Sequence, residues 1–411
     1  MSKAIYMSKK TKLQFENDAG EELSAWLEKP VTSKPKAYTL FAHCFTCSKN
    51  LKTIGNISRA LTQKGFAVLR FDFTGLGESE GDFSDTNFSS NIGDLMSAAR
   101  FLEKHYQAPS LLIGHSLGGA AVLHAASKLH HVKAVATIGA PSDPEHVKKL
   151  ISSSQKEIES KGVAEVSIGG RPFTIKKQFL DDLENHDMKK ILGDLKVSAL
   201  VMHSPQDKIV GIENATEIYK SLNHPRSFIS LDGADHLLSR QKDSYYAGDV
   251  IASWAMRYLD ISGTEKPETN RQAMARLSGE GFTTEIVSGN HNLLADEPVN
   301  AGGEDLGPSP YDLVSSGLAA CTAMTIRMYA NRKKWKLTEV RVHVEHTKEY
   351  ANDCDTCDTS DNSKIDKFYR EIELEGKLDD KQKSRLLEIA NKCPVHRTLR
   401  GDILIETRLL T

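Results

Sequence analysis

Six short apolar runs, rich in β-branched residues and each followed by a turn or an amphipathic stretch, set the rhythm of the first half of the chain. They are KAYTLFAH, GFAVLRFD, SLLIGH, VKAVATIG, VSALVMH and SFISLD. Near-continuous apolar runs are strands buried on both faces, and helical segments between them are the crossovers that parallel neighbours need. The first half is therefore predicted to be an α/β fold with a mostly parallel sheet. Ahead of these runs, KLQFENDAGEELSAWLEKP reads as a hairpin turning at Asp18, Ala19 and Gly20, which supplies antiparallel edge strands.

A chain of 411 residues exceeds the size at which one hydrophobic core stops growing. A second unit is therefore expected, and its boundary falls at ISGTEKPETN, where Gly, Pro and charge replace apolar periodicity. The expected division is 1–260, a linker at 261–271, and 272–411. Beyond the linker, strand-like segments (QAMARLSG, FTTEIVSG) precede a long helix from about Tyr311 to Arg332. Two strands (VRVHVEHT, KFYREIELEG), a helix from about Asp379 to Asn391 and a last strand, DILIETRLL, follow. Strands and helices in blocks predict an α+β unit.

Charge narrows the partners. With 53 Lys+Arg against 55 Asp+Glu the net charge is −2, and no block of one sign points to nucleic acid or a membrane surface. No segment approaches the roughly 18 uninterrupted apolar residues of a membrane span, and MSKAIYMSKKTKLQF lacks the apolar centre of a secretory signal. The expectation is a cytoplasmic protein whose six cysteines (Cys44, Cys47, Cys321, Cys354, Cys357, Cys393) serve as thiols, ligands or redox centres. No cofactor is called for.

SLLIGHSLGGAA places Ser116 between small residues directly after a strand, with a helix following. Small flanks let the chain turn sharply and lift a serine clear of the sheet, the geometry an acyl-transfer nucleophile needs. Asp207 follows the strand VSALVMH and His236 follows SFISLD, both at carboxyl ends of predicted strands. Serine, acid and histidine in this order can act as nucleophile, orienting carboxylate and base. Oxyanion donors are expected from the backbone N–H groups of Phe45, after the strand YTLFA, and of Leu117.

With FDFTGLGES after a strand, these motifs make residues from about 11 to 260 resemble α/β-hydrolases of the small serine esterase and lysophospholipase-like type. Cys44 stands where many such proteins carry glycine. Between Gly139 and Leu195 the alternation is interrupted by charged amphipathic segments and the hairpin-like VAEVSIGGRPFTI, the place where such a hydrolase keeps a lid. Cys44 and Cys47 form a lone C-x-x-C with no second ligand pair nearby, which favours a structural role over redox or metal chemistry.

In the second half Cys321 falls on an apolar helical stripe, Val314, Gly317, Leu318, Cys321 and Thr325, where a buried structural thiol is the simplest reading. Cys393 precedes Pro394, suited to the first position of a helix, so its sulfur stands near backbone N–H groups that favour thiolate. The motifs GLAAC and CPVH make residues from about 272 to 411 resemble the OsmC/Ohr family, the osmotically inducible and organic hydroperoxide resistance proteins. That resemblance implies a two-cysteine thiol peroxidase, with Cys321 peroxidatic and Cys393 resolving, an intertwined homodimer, and a dithiol reductant. The family's hydroperoxide specialists carry a glutamate ten residues before the peroxidatic cysteine, and here that position is Tyr311. His343, His346, Cys354 and Cys357 lie close in sequence, but one C-x-x-C with two histidines on opposite strand faces is a weak metal pattern, and no metal site is expected.

Together these readings describe an ester hydrolase acting through Ser116, Asp207 and His236, fused to a thiol peroxidase acting through Cys321 and Cys393. The substrates are small esters and organic hydroperoxides. The alternative is an esterase carrying a non-catalytic binding and dimerisation module.

Overall fold

The computed structural model describes residues 8–30, 35–152, 154–168, 171–259, 261, 269–277, 281–350 and 364–410. The chain divides into two compact units, 1–266 and 267–411.

The strands of the first unit are β1 (Ser8–Glu16), β2 (Glu22–Pro30), β3 (Ala37–Ala42), β4 (Phe66–Phe71), β5 (Leu111–His115), β6 (Ala134–Ile138), β7 (Val163–Ile168), β8 (Arg171–Lys176), β9 (Ser198–His203) and β10 (Arg226–Ser230). Eight of them form one sheet in the order β1-β2-β4-β3-β5-β6-β9-β10. β1 and β2 are antiparallel, with Leu13 opposite Ala25, and from β4 to β10 every pairing is parallel. The N-terminal hairpin thus sits at the edge.

Its helices are α1 (Lys52–Gln63), α2 (Phe88–His105), α3 (Leu117–Ala126), α4 (Val147–Leu150), α5 (Gln155–Lys161), α6 (Lys177–Leu183), α7 (Met188–Asp194), α8 (Glu213–Ser221) and α9 (Gln241–Tyr258). Successive strand residues point to opposite faces. Phe41, Ile113 and Met202 meet Ile57 and Leu61 of α1 and Ile251 of α9 on one face. Leu40, Leu112 and Val201 meet Leu95 of α2 and Val122 of α3 on the other. Every residue of β3, β4, β5, β6 and β9 is buried, which is why these runs carry no polar alternation.

β3 lies between β4 and β5. The order reverses there, so the loops after β3 and β5 part at a crevice at the carboxyl ends of the strands.

The second unit holds a three-stranded antiparallel sheet of β11 (Ala273–Leu277), β12 (Thr284–Ser288) and β13 (His291–Ala295), then α10 (Pro310–Arg332). A long antiparallel pair, β14 (Lys336–Tyr350) and β15 (Lys364–Lys377), leads to α11 (Asp380–Ala390) and α12 (Pro394–Arg400). α10 starts at a capping box between Ser309 and Asp312 with Pro310 in its first turn. Its buried line is Leu318, Thr322, Ile326 and Ala330, which shares Leu318 with the expected stripe but leaves Val314 exposed and Cys321 half-buried. Among the described residues β14, α11 and α12 make the main contacts with the helix, so a single narrow line is closed off, and Met324 and Met328 are left exposed.

The last expected strand is also corrected. DILIETRLL pairs with no strand among the described residues, and Leu404 and Leu409 are 85% and 89% exposed. A strand needs an edge to bond with, and this segment has found none among the described residues.

Candidate active site

Ser116 closes β5 and caps α3 with φ 56° and ψ −129°, a sparsely populated conformation for a residue with a Cβ. Its N–H donates to the Ile138 carbonyl at 2.9 Å, which fixes the turn against β6. Two residues on, Gly118 lets α3 come up against the loop after β3. A Cβ there would lie 2.4 Å from the His43 carbonyl oxygen, closer than atoms tolerate, so glycine sets that approach.

Asp207 and His236 come to this serine from the ends of β9 and β10. His236 Nε2 lies 3.1 Å from Ser116 Oγ, and its Nδ1 lies 2.7 Å from Asp207 Oδ2. Asp207 Oδ1 accepts the N–H groups of Ile209 (2.8 Å) and Val210 (3.0 Å). Burial alone would push this carboxyl up. The hydrogen bond and charge of His236 with the two N–H donors outweigh burial and hold it below the ordinary carboxylate range.

His115, the residue before the serine, is a partner that sequence reasoning missed. It is buried, and its Nε2–H donates to the His236 carbonyl at 2.7 Å. Burial pushes its pKa down to about 4, so it is neutral. The adjacent G-x-S-x-G motif was the only signal available for it.

The Leu117 N–H lies in the first turn of α3, where no intrahelical acceptor exists. The Phe45 N–H has no acceptor among the described residues. The loop that carries Phe45 is tied at both ends. At its start His43 is neutral, donating Nδ1–H to the Cys44 carbonyl (2.8 Å) and accepting the Phe73 N–H at Nε2 (3.5 Å). At its far end Lys49 is fully buried against Asp72, the aspartate of FDFTG, which also accepts the N–H groups of Lys49 (2.6 Å) and Glu78 (2.9 Å). Between these ties Cys44 and Cys47 form a disulfide, Cα atoms 5.3 Å apart. The expectation that the cysteines serve as thiols, ligands or redox centres did not include a disulfide, and this pair, which the tight turn brings within bonding distance, forms one.

The insertion between β6 and β9 contains α4 to α7 and the β7–β8 hairpin, with Val163 opposite Lys176. Its aromatic side chains meet the loop after β3 and its neighbours: the Phe179 ring lies 5.1 Å from that of Phe45, and Phe173 lies 5.0 Å from Phe83. Arg171 donates to the Thr46 carbonyl.

In the second unit Cys321 and Cys393 are free thiols brought within hydrogen-bonding reach of each other. Burial raises the Cys321 thiol, and its hydrogen bond to Cys393 raises it further. For Cys393 burial is outweighed by hydrogen bonds from Cys321, from the N–H groups of His396 and Val395 at the start of α12, and from Thr322, so its thiol is lowered. Of the two thiols, Cys393 is therefore the one shifted toward ionisation. Arg370, which no sequence feature singled out, interacts electrostatically with Cys393 and donates to Thr322 Oγ1 (2.8 Å) and Asn391 Oδ1 (2.7 Å).

Tyr311 stacks on His346 with ring centres 4.2 Å apart. His346 Nε2 lies 2.8 Å from Asp366, whereas His343 points from the opposite face toward Glu373. Cys354 and Cys357 lie outside the described residues. No group of three or more metal-ligating side chains occurs among the described residues, and none of their helices is long and apolar enough to cross a membrane.

This fold, and a serine raised between the loops of a reversing parallel sheet, define an α/β-hydrolase. The chain belongs to that family and carries an OsmC-like domain after it. Residues 33–164 match the family described as serine aminopeptidase S33, and residues 302–408 match OsmC-like protein. A solved structure, the esterase domain of a Rhodothermus marinus protein, is 52% identical, covering 61% of this chain and 99% of that one with a TM-score of 0.52. The mouse palmitoyl-protein thioesterase ABHD10, a mitochondrial protein, is 27% identical over 189 residues, 44% of this chain and 62% of its own length. The solved mouse α/β hydrolase domain-containing protein 10, at 22% identity and a TM-score of 0.51, covers 60% of this chain and 99% of its own and shares the fold.

Proposed function

We propose that the N-terminal unit hydrolyses carboxylic esters through an acyl-enzyme on Ser116. The observation that supports this is the hydrogen-bonded series Ser116–His236–Asp207 at 3.1 and 2.7 Å, beside two N–H groups free to receive an oxyanion. His236 Nε2 takes the Ser116 proton as Oγ attacks the ester carbonyl, and Asp207 holds the imidazole and stabilises its charge. The negative oxygen is received by the N–H groups of Phe45 and Leu117. His236 returns the proton to the leaving alkoxide, then activates water to release the acid. Phe45, Phe83, Phe173 and Phe179 offer the acyl group an aromatic wall, so the insertion at 139–195 acts as a lid that selects chain length. The similarity to a palmitoyl-protein thioesterase extends the candidate substrates to fatty acyl esters and thioesters.

Fluorophosphonate labelling with peptide mapping tests this reading: the label should fall on Ser116, and Ser116→Ala should abolish turnover of short p-nitrophenyl esters. Full turnover in Ser116→Ala would discard it.

For the domain at 272–411, joined through the linker at 261–271, we propose reduction of organic hydroperoxides, supported by the adjacent thiols and Arg370. Cys321 is the peroxidatic thiol because it is half-exposed while Cys393 is buried. Its proton passes along one hydrogen bond to Cys393. The Cys321 thiolate then attacks the peroxide oxygen, releasing an alcohol and leaving a sulfenic acid. Cys393 condenses with it to a disulfide, releasing water, and a dithiol returns both to thiols. Such a couple suits the reducing cytoplasm. The position of Tyr311 on His346 favours the second reading, a module that binds and dimerises without turnover. Under either reading, the exposed apolar segment 402–410 is covered by a second copy of the chain.

A further inference from the structure

The Cys44–Cys47 disulfide spans Phe45 and Thr46. It therefore encloses the residue whose N–H the proposed hydrolase uses as an oxyanion donor. Before this ring the backbone is seated on Gly118, and after it Lys49 is clamped by Asp72. Within it, the restraints besides the sulfur bridge are the hydrogen bonds to the Cys44 carbonyl from the Cys47 N–H (3.1 Å) and His43 Nδ1 (2.8 Å), the Arg171 contact to Thr46, and the Phe45 ring against Phe83 and Phe179. Cys44 is buried but Cys47 is half-exposed, so a thiolate arriving from solvent meets the Cys47 sulfur.

We propose that Cys44–Cys47 is a redox site that governs the position of the Phe45 N–H. The disulfide holds the donor in place, and the dithiol state releases it. This rests on the ester-hydrolase reading of Ser116. The exchange needs only a dithiol. One thiolate attacks Cys47 Sγ, the Cys44–Cys47 bond breaks, and Cys44 departs as a thiolate that takes up a proton. The second thiolate of the reductant then attacks its own sulfur in the mixed disulfide, releasing Cys47 as a thiol once protonated and leaving the reductant as a cyclic disulfide. Two electrons and two protons pass to the protein, and the oxidised dithiol drives the reverse. Disulfides found in reducing compartments are characteristically transient, catalytic or sensing, and a partly exposed bridge across four residues is open to exchange.

An oxyanion donor works only within about 2.7–3.1 Å of the charge it receives, so loosening the ring acts on kcat more than on KM. Reduction should lower kcat about tenfold, less than the roughly 10²–10³ lost when such a donor is removed outright. The full chain is equilibrated in graded mixtures of reduced and oxidised dithiothreitol. Each sample is divided between thiol alkylation with mass mapping of the 44–47 peptide and p-nitrophenyl ester turnover. Wild-type kcat should follow the disulfide fraction, and Cys47→Ala should keep the reduced-state kcat in every mixture. A flat wild-type kcat while the pair interconverts overturns the proposal. So does a pair that never interconverts. A redox response that persists in Cys47→Ala assigns the effect to Cys321 and Cys393 instead, and also overturns it. Absence of both turnover and fluorophosphonate label on Ser116 in every mixture is a different result, which removes the hydrolase reading and this inference with it.

Discussion

Asp207 meets His236 with one carboxylate oxygen, at 2.7 Å, and gives the other to the backbone of its own loop. The carboxylate is thus immobile and aimed, and its lowered pKa keeps it charged throughout the working range. Asp207→Asn keeps the shape but puts an N–H or a weaker acceptor against His236 Nδ1, favouring the wrong tautomer. We expect kcat for p-nitrophenyl acetate to fall by about 10⁴ with the fold intact by circular dichroism. A loss under tenfold would remove Asp207 from the mechanism.

Acid should destabilise the first unit in a defined window. His115 and His124 are held neutral, each pushed down to about 4, chiefly by burial. Above the ordinary value of about 6.5 both native and unfolded states are neutral there. Between 6.5 and 4 the unfolded chain takes up protons that the native chain refuses, so stability is full above 6.5 and is lost as pH falls toward 4. For buried His115 the loss amounts to about 3 kcal/mol at 1.36 kcal/mol per unit. Urea unfolding at pH 7, 6 and 5 should show this slope, and His115→Gln should flatten it. An unchanged slope in that variant would mean His115 is not the group responsible.

The parallel sheet and the Ser116–Asp207–His236 convergence were legible because both leave local marks: apolar runs of fixed length, small residues round one serine, and polar residues just past strand ends. Lys49 and Arg370 left none, and His115 and Asp72, although inside quoted motifs, carried no mark of their partners. A buried charge is recognised by its partner, and Lys49 and Asp72 stand 23 residues apart, while Arg370 and Thr322 are separated by 48. The Cys44–Cys47 bond was passed over for another reason, since a lone C-x-x-C says nothing about which way its sulfurs face. The stripe on α10 failed because helical periodicity reveals that a face is apolar but not whether this chain covers it.

Arg370 gives the thiol pair a pH test. Its positive charge favours the Cys393 thiolate. Removing that charge should move the peroxide-consumption profile of Arg370→Met to higher pH, because more base is then needed to form the reactive anion. Stopped assays with cumene hydroperoxide from pH 6 to 9 would show it. An unshifted profile would leave Arg370 a structural residue.

Segment 402–410 makes the oligomer testable. If its apolar side chains are covered by a second copy, the full chain should run as a dimer by light scattering and a chain ending at Gly401 as a monomer. A full chain that stays monomeric at tens of micromolar would refute the pairing.

The backbone of Ser116 carries a consequence for how this protein bears improvement. Its φ of 56° and ψ of −129° cost a residue with a side chain on the order of 1–3 kcal/mol, and glycine escapes that cost. Ser116→Gly should therefore melt at a higher temperature than the natural chain while hydrolysing nothing, and a lower melting temperature would show that the turn is relaxed. Selection for stability alone would drift away from serine at this position, so a screen that rewards only heat resistance would discard the proposed nucleophile among its first gains.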